Sequence, residues 1–323
     1  MISLLELFGG IGAAKKALIK IGVKHKSIDY VEIDEKAVRT HNALFEKKHV
    51  PQSVIGYTLK QDILVHGSPC QDFSRAGKRL GGKDEDKTRS SLMWETIKII
   101  RNFCEWKPQV VIWENVKGVL DKDMIKSFNK YLEEMEKLGY TNSFDVLNAM
   151  EFGIPQKRER VFVVSILGNN KFNFANLEKK PLKNISEFLE KNVSEKYLIN
   201  SPSMRSKIKA LGLPNKNKNY VRYLDIIDSH CWTITEKQNR CPNSGIIKIN
   251  DNDYRLLTEL ECWRLMGFED EDYYKALNVH PSKKGCFNST LNKQAGNSIV
   301  VDVLEAIYLE LQAMGELKFS EDK

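Results

Sequence analysis

Short apolar runs alternate with longer amphipathic ones over residues 1–167, and this alternation limits the possible folds more than any other property of the chain. Leu4–Phe8 reads as a strand, Gly9-Gly10-Ile11-Gly12 as a turn, and "AAKKALIKI" as a helix stopped by Gly22. "SIDYVEID" reads as a second strand and "EKAVRTHNALFEKK" as a second helix. Ile63–His66, "SLMWETIKIIRNF", "QVVIWENV", "DMIKSFNKYLEEMEKLG" and "RVFVVSIL" continue the series. Several of the strands are apolar throughout, as expected when both faces are covered. The pattern predicts an α/β fold: a doubly wound parallel sheet between layers of helices.

At Gly168 the texture changes. Segments such as "LGLPNKNKNYVRY" and "KQNRCPNSG" are irregular and rich in Asn and Lys, and they predict a smaller, loop-rich second domain over 168–253. Residues 254–323 regain helical patterning and are expected to return to the first domain. Residues 168–250 hold 15 Lys/Arg against 7 Asp/Glu, an excess of eight in a chain whose net charge is +7, so the remainder is near neutral. A positive excess confined to one segment suits a polyanion partner.

Other classes are disfavoured. The N-terminal "MISLLELFGG" has no basic stretch ahead of its apolar run and does not read as a signal peptide. No run approaches the ~18 apolar residues that a membrane span needs. Six cysteines are scattered without a Cys-x-x-Cys pair, which argues against a disulfide framework or a structural zinc site and suits a reducing cytoplasm. No metal ligand set is expected.

Four features carry chemistry. The glycine turn between a strand and a helix lets backbone approach a ligand, and Glu32, ending the second strand, can accept ribose hydroxyls; together they favour an adenosine-containing cofactor. Cys70 follows Pro69 where the Ile63–His66 strand runs out, so its thiol should face the same crevice. Glu114 ends an apolar strand, a place that raises a carboxyl pKa and lets it donate a proton. Gln156, Arg158 and Arg160 recur at period two and are expected on one side of a strand.

These stretches resemble, in order, the motifs of the DNA (cytosine-5) methyltransferases of bacterial and phage type. "ELFGGIGA", "VEID", "GSPCQDFS", "WENVKG", "FGIPQKRERVF", "RLLTELECWRLMGF" and "KQAGNSIVVDVL" match seven of them over nearly the whole chain. The resemblance implies a Rossmann-like methyltransferase sheet with a target-recognition domain in the basic segment. It implies S-adenosylmethionine as cofactor, leaving as S-adenosylhomocysteine, and a cytosine flipped out of a specific duplex sequence. Cys70 would add to C6 of the base, Glu114 would meet N3 and Arg158 O2, with Arg160 and Asn115 in support. Phe8, Gly10, Ile11, Gly12, Glu32, Ile33, Pro69, Leu92, Asn297 and Ser298 would surround the cofactor. Gln71, Ser74, Lys78 and Arg79 would meet DNA from the loop after Cys70; Thr233, Thr235, Gln238, Asn239 and Arg240 would read it.

The implied partner is double-stranded DNA, bound by a cytoplasmic monomer in a bacterial or phage-infected cell. A cognate restriction endonuclease acting separately is a candidate companion. The chain departs from the motifs at Glu6, usually Asp, at Ala13, usually Gly, at Ile33, often aromatic, and at Tyr57, where an Asp often meets the adenine. A DNA-binding protein without catalysis and a methyltransferase of transfer RNA remain as alternatives.

Overall fold

A computed structural model describes residues 2–57, 61–67, 92–103, 106–210, 224–240 and 242–317. Strand β1 (Ile2–Leu7) leads through the glycine turn into α1 (Ala13–Lys20), then β2 (His25–Val31) and α2 (Glu35–Phe45). Asp34 starts α2 by accepting the backbone N–H groups of Lys36 and Ala37, which an extended helix start would otherwise leave unpaired. There follow β3 (Ile63–His66), α3 (Met93–Asn102), β4 (Val110–Val116), α4 (Ile125–Lys137), β5 (Tyr140–Asn148), β6 (Gln156–Lys157) and β7 (Glu159–Leu167).

The main sheet has the order β2-β1-β3-β4-β7-β5. Its first four strands are parallel, as expected, but β7 runs antiparallel to both β4 and β5. The purely parallel expectation fails here for a simple reason. The link from β5 to β7, residues 149–158, holds only a 3-10 turn and β6, with no helix to carry a parallel crossover. Strand β5 escaped the sequence reading because "YTNSFDVLN" is an edge strand with half-exposed polar positions rather than an apolar run.

Alternate residues of the central strands serve opposite layers. Leu4, Ile63, Val65, Ile112 and Val164 pack with Ala17 and Leu18 of α1. Leu5, Leu64, Val111, Trp113 and Val163 pack with Ile97 of α3 and Phe128 and Tyr131 of α4. The sheet is thereby covered on both faces.

Beyond β7 come α5 (Pro202–Arg205), β8 (Ile208–Ala210), β9 (Leu224–Ile226), β10 (Cys231–Trp232), β11 (Ile247–Lys248), β12 (Tyr254–Arg255), α6 (Glu259–Arg264), α7 (Asp270–Val279), α8 (Ser289–Asn297) and α9 (Val301–Ala313). Tyr197, Ile199, Leu224, Ile246 and Leu256 form a small separate core. Phe172, Leu177, Ile185 and Phe188, in contrast, pack into the main core. The expected terminal helix forms as α9 and joins the α1 layer. It is buried more completely than an amphipathic helix: even Asp302 and Glu305 are covered, with Glu305 paired to Lys20 at 2.5 Å and to Lys180 at 2.9 Å. Among the described residues no helix is long and apolar enough to cross a membrane.

Candidate active site

The register of the parallel strands aligns Val31, Leu7, His66 and Trp113 across four neighbours. The next residue on each strand is therefore Glu32, Phe8, Gly67 or Glu114, side by side at the carboxyl edge. With neighbouring strands about 4.8 Å apart the row is about 14 Å long, enough to seat a nucleoside beside a second ring.

At one end of the row the glycine turn is tightly specified. Phe8 adopts φ 55°, unusual for a residue with a side chain, and Gly10 and Gly12 adopt φ 55° and 84°. A Cβ on Gly12 would come within 2.4 Å of Phe45 and 2.7 Å of His41, so this glycine serves packing. A Cβ on Gly10 would meet nothing within 4 Å, so that face of the backbone borders open space. Glu32 ties the turn to β2: its carboxylate accepts the N–H of Gly10 at 3.0 Å, of Ile33 at 2.8 Å and of Asp34 at 2.9 Å. Ile33 stands 73% exposed next to it, an apolar side chain left without a cover.

Some expected cofactor residues point elsewhere. The Ile11 side chain belongs to the main core, leaving only its backbone for a ligand. Tyr57 is buried and donates its hydroxyl to Asp29 at 2.9 Å, so it does not replace an acid that faces adenine. Leu92 is half-buried at the start of α3; Asn297 is exposed and Ser298 buried where α8 ends. Pro69, Cys70, Gln71, Ser74, Lys78 and Arg79 lie outside the described residues.

At the other end of the row, Glu114 Oε1 lies 3.2 Å from Arg160 Nε, with both side chains mostly covered. Burial raises the carboxyl pKa, and the nearby Arg160 and then Arg158 pull it back down. Gly67 borders this carboxyl: a Cβ there would lie 3.8 Å from Glu114 Oε2. Asn115 is buried beside it, its Oδ1 accepting the Val116 N–H at 2.8 Å. Arg160 arrives because β7 is antiparallel, which pairs its first residues with the last of β4, Val116 with Arg160. In a parallel β7 the same arginine would sit at the opposite edge of the sheet.

Gln156 and Arg158 both hydrogen-bond Ile234, and Arg160 and Arg158 both lie near enough to act on the Glu114 carboxyl. Arg158 Nη1 donates to the Ile234 carbonyl at 2.9 Å, and its Nη2 donates to the carbonyls of Gly296 at 3.1 Å and Ser298 at 2.8 Å. Arg160 forms the ion pair with Glu114, and Arg158 is near enough to act on the same carboxyl. The sequence reading named Arg160 as a support of the acid but took the strand that carries it to be parallel.

His66 is a strand residue as expected. Fully buried, it shares a hydrogen bond with the Tyr131 hydroxyl at 2.9 Å, and burial lowers its pKa to about 3. It stays neutral and is not placed to serve as a base. Cys231 and Cys262 are buried thiols whose pKa burial pushes up, a poor state for nucleophiles.

In the basic segment, Thr233 Oγ1 donates to the Lys157 carbonyl at 2.9 Å, and Thr235 Oγ1 accepts from Asn243 at 3.3 Å. Asn239 is half-buried and Arg240 exposed. Gln238 is corrected as a reader of DNA: it is 1% exposed and its amide donates to Ser244 Oγ, so it shapes the loop from inside. Not anticipated was Lys157, exposed, with its Nζ 5.0 Å above the Trp232 ring.

Comparisons with known proteins follow this geometry. The family model for C-5 cytosine-specific DNA methylases matches residues 2–313. The type II methyltransferase M2.ScrFI of Lactococcus lactis subsp. cremoris is 32% identical over 96% of this chain and 99% of its own. The orphan methyltransferase M.SPRI of Bacillus phage SPR is 26% identical over 96% and 97%. Among solved structures, the Dnmt2 methyltransferase of S. pombe superposes with a TM-score of 0.75 at 20% identity, covering 97% of this chain and 99% of that one. The Entamoeba histolytica methyltransferase EhMeth gives 0.77 at 18%, covering 97% and 98%. At those identities the structures speak for the fold.

Proposed function

Because the chain belongs to the C-5 cytosine-specific DNA methylase family, we propose that it methylates C5 of a cytosine extruded from duplex DNA, through a covalent bond from Cys70 to C6. The observation that carries this reading is the juxtaposition of Glu114, Arg160 and Gly67 at the carboxyl edge. Cys70 follows Gly67 by three residues in the sequence, and Gly67 stands where the acid and guanidinium meet. An extruded base is what such a recess can accept.

The residues fit S-adenosylmethionine. Gly10 borders open space, the Glu32 carboxylate beside it has acceptor capacity left for ribose hydroxyls, and Ile33 is an uncovered apolar face for a purine. Phe8, Gly12 and the backbone of Ile11 would complete that end, with Leu92, Pro69, Asn297 and Ser298 toward the methionine end. When bound, the cofactor supplies the methyl group.

This chain's residues do the rest. Cys70 loses its proton and its sulfur bonds to C6, moving an electron pair toward C5. Glu114, whose carboxyl burial makes a weaker acid than usual, hydrogen-bonds N3 as charge develops there, and Arg160 steadies both the carboxyl and the O2 side of the ring. Asn115 supports the strand end. Once C5 carries the methyl group it releases its proton, and the electron pair returns to break the S–C6 bond and free the thiol.

The small core of residues 197–256, with the basic excess around it, would form the recognition unit; Thr233, Thr235, Asn239 and Arg240 would read DNA, with Gln71, Ser74, Lys78 and Arg79 closing from the other side. The protein would act as a monomer in the cytoplasm, and a restriction endonuclease would act apart from it. The test is direct. Cys70→Ala should abolish methyl transfer to plasmid DNA, and DNA made with 5-fluorocytosine should trap the unaltered enzyme in a denaturant-stable adduct that the Ala variant cannot form. Full transfer by Cys70→Ala ends the reading.

A further inference from the structure

Gly296 lies in the last turn of α8. A Cβ added there would sit 2.3 Å from the carbonyl carbon of Thr235, 2.3 Å from the amide nitrogen of Glu236 and 2.7 Å from the Thr235 oxygen. These are backbone atoms and cannot swing aside as a flexible side chain can. The turn at 233–236 therefore rests directly on a bare stretch of helix.

The same turn is bolted from its other side. Arg158 donates to the Ile234 carbonyl with one nitrogen and to the carbonyls of Gly296 and Ser298 with another. Gln156 Oε1 accepts the Ile234 N–H at 3.0 Å while its Nε2 donates to the Leu265 carbonyl at 2.8 Å. Gln156 and Ile234 are wholly buried. A buried guanidinium with three carbonyl partners has little freedom to shift, because any move strands a charge or an acceptor.

We infer that Gly296 and Arg158 are positioning residues for sequence recognition: they set the height at which the loop from Thr233 to Arg240 stands over the base recess. The inference rests on the proposed role of that loop in reading DNA. Hydrogen-bond readout of base edges works over a few tenths of an ångström. A Cβ at Gly296 must drive the loop back by about 1 Å, from a 2.3 Å contact to ordinary van der Waals distance. Arg158→Lys removes the fork that holds three carbonyls and leaves a single flexible ammonium. Either change loosens the fit between reader and base, and comparison at matched total methylation separates that from any effect of Arg158 on Glu114 and the rate of transfer.

The test uses the full chain, S-adenosylmethionine and plasmid DNA, read by bisulfite sequencing of the whole plasmid. The wild type defines its own site. At matched total methylation, the share of methylated cytosines outside that site should rise about tenfold in both Gly296→Ala and Arg158→Lys, the size of one lost base contact. That share does not depend on how much of the enzyme is folded, so simple destabilisation leaves it unmoved. An unchanged share in both variants overturns the inference. If Gly296→Ala does not fold, Arg158→Lys decides alone, since it adds no bulk to the helix contact. A wild type that methylates no plasmid cytosine would instead remove the function on which the inference stands, and the inference with it.

Discussion

Glu114 holds its proton more readily than a free carboxyl, because burial outweighs the opposing pull of Arg160 and Arg158. Its role makes two expectations. Glu114→Gln should slow transfer about 100-fold, the usual worth of a positioned acid, while duplex affinity changes less than threefold; equal losses in both would count against the role. The alkaline limb of the pH–rate profile reports loss of the carboxyl proton, so it should vanish in Glu114→Gln and move to higher pH in Arg160→Ala, where the restraining cation is gone. His66 gives a prediction about stability. Its folded pKa of about 3 lies below the ordinary histidine value of 6.5, so the unfolded chain binds the extra proton first. Stability from this group is present above pH 6.5 and drains as pH falls toward 3, by up to about 1.4 kcal/mol per pH unit. His66→Phe should flatten that part of the acid-unfolding curve measured by circular dichroism; an unchanged slope would show the imidazole to be solvated.

Single elements bring distant residues to one place. The glycine turn and Glu114 were legible as strand ends because apolar runs and glycines mark where strands stop. Arg160 was legible as a candidate but not as the partner of Glu114. Period-two spacing describes one strand, whereas the pairing depends on the direction of β7 against β4, which the missed edge strand β5 reverses. Element packing also decides the role of α9, whose Leu304 is fully buried in the layer shared with α1. Leu304→Ala should cost about 2–5 kcal/mol in urea unfolding, far more than an amphipathic surface helix would lose.

On the scale of the whole molecule, charge and fold divide the work. The main sheet and its helix layers hold the row of site residues, and the basic excess lies in the segment that includes the small core. DNA affinity should therefore fall linearly with the logarithm of salt concentration, measured by fluorescence anisotropy; an affinity indifferent to salt would place the basic excess away from the duplex. The amino-acid sequence alone determined which residue types end which strands, and so the family, the nucleophile candidate and the acid, because these follow from local periodicity and ordered motifs. Only the tertiary structure decided that Arg160 pairs with the acid at 3.2 Å, that Gln238 faces inward, and that Gly296 lies against the backbone of Thr235 and Glu236. Those outcomes depend on strand direction and on contacts between segments far apart in the chain, and no local pattern encodes them.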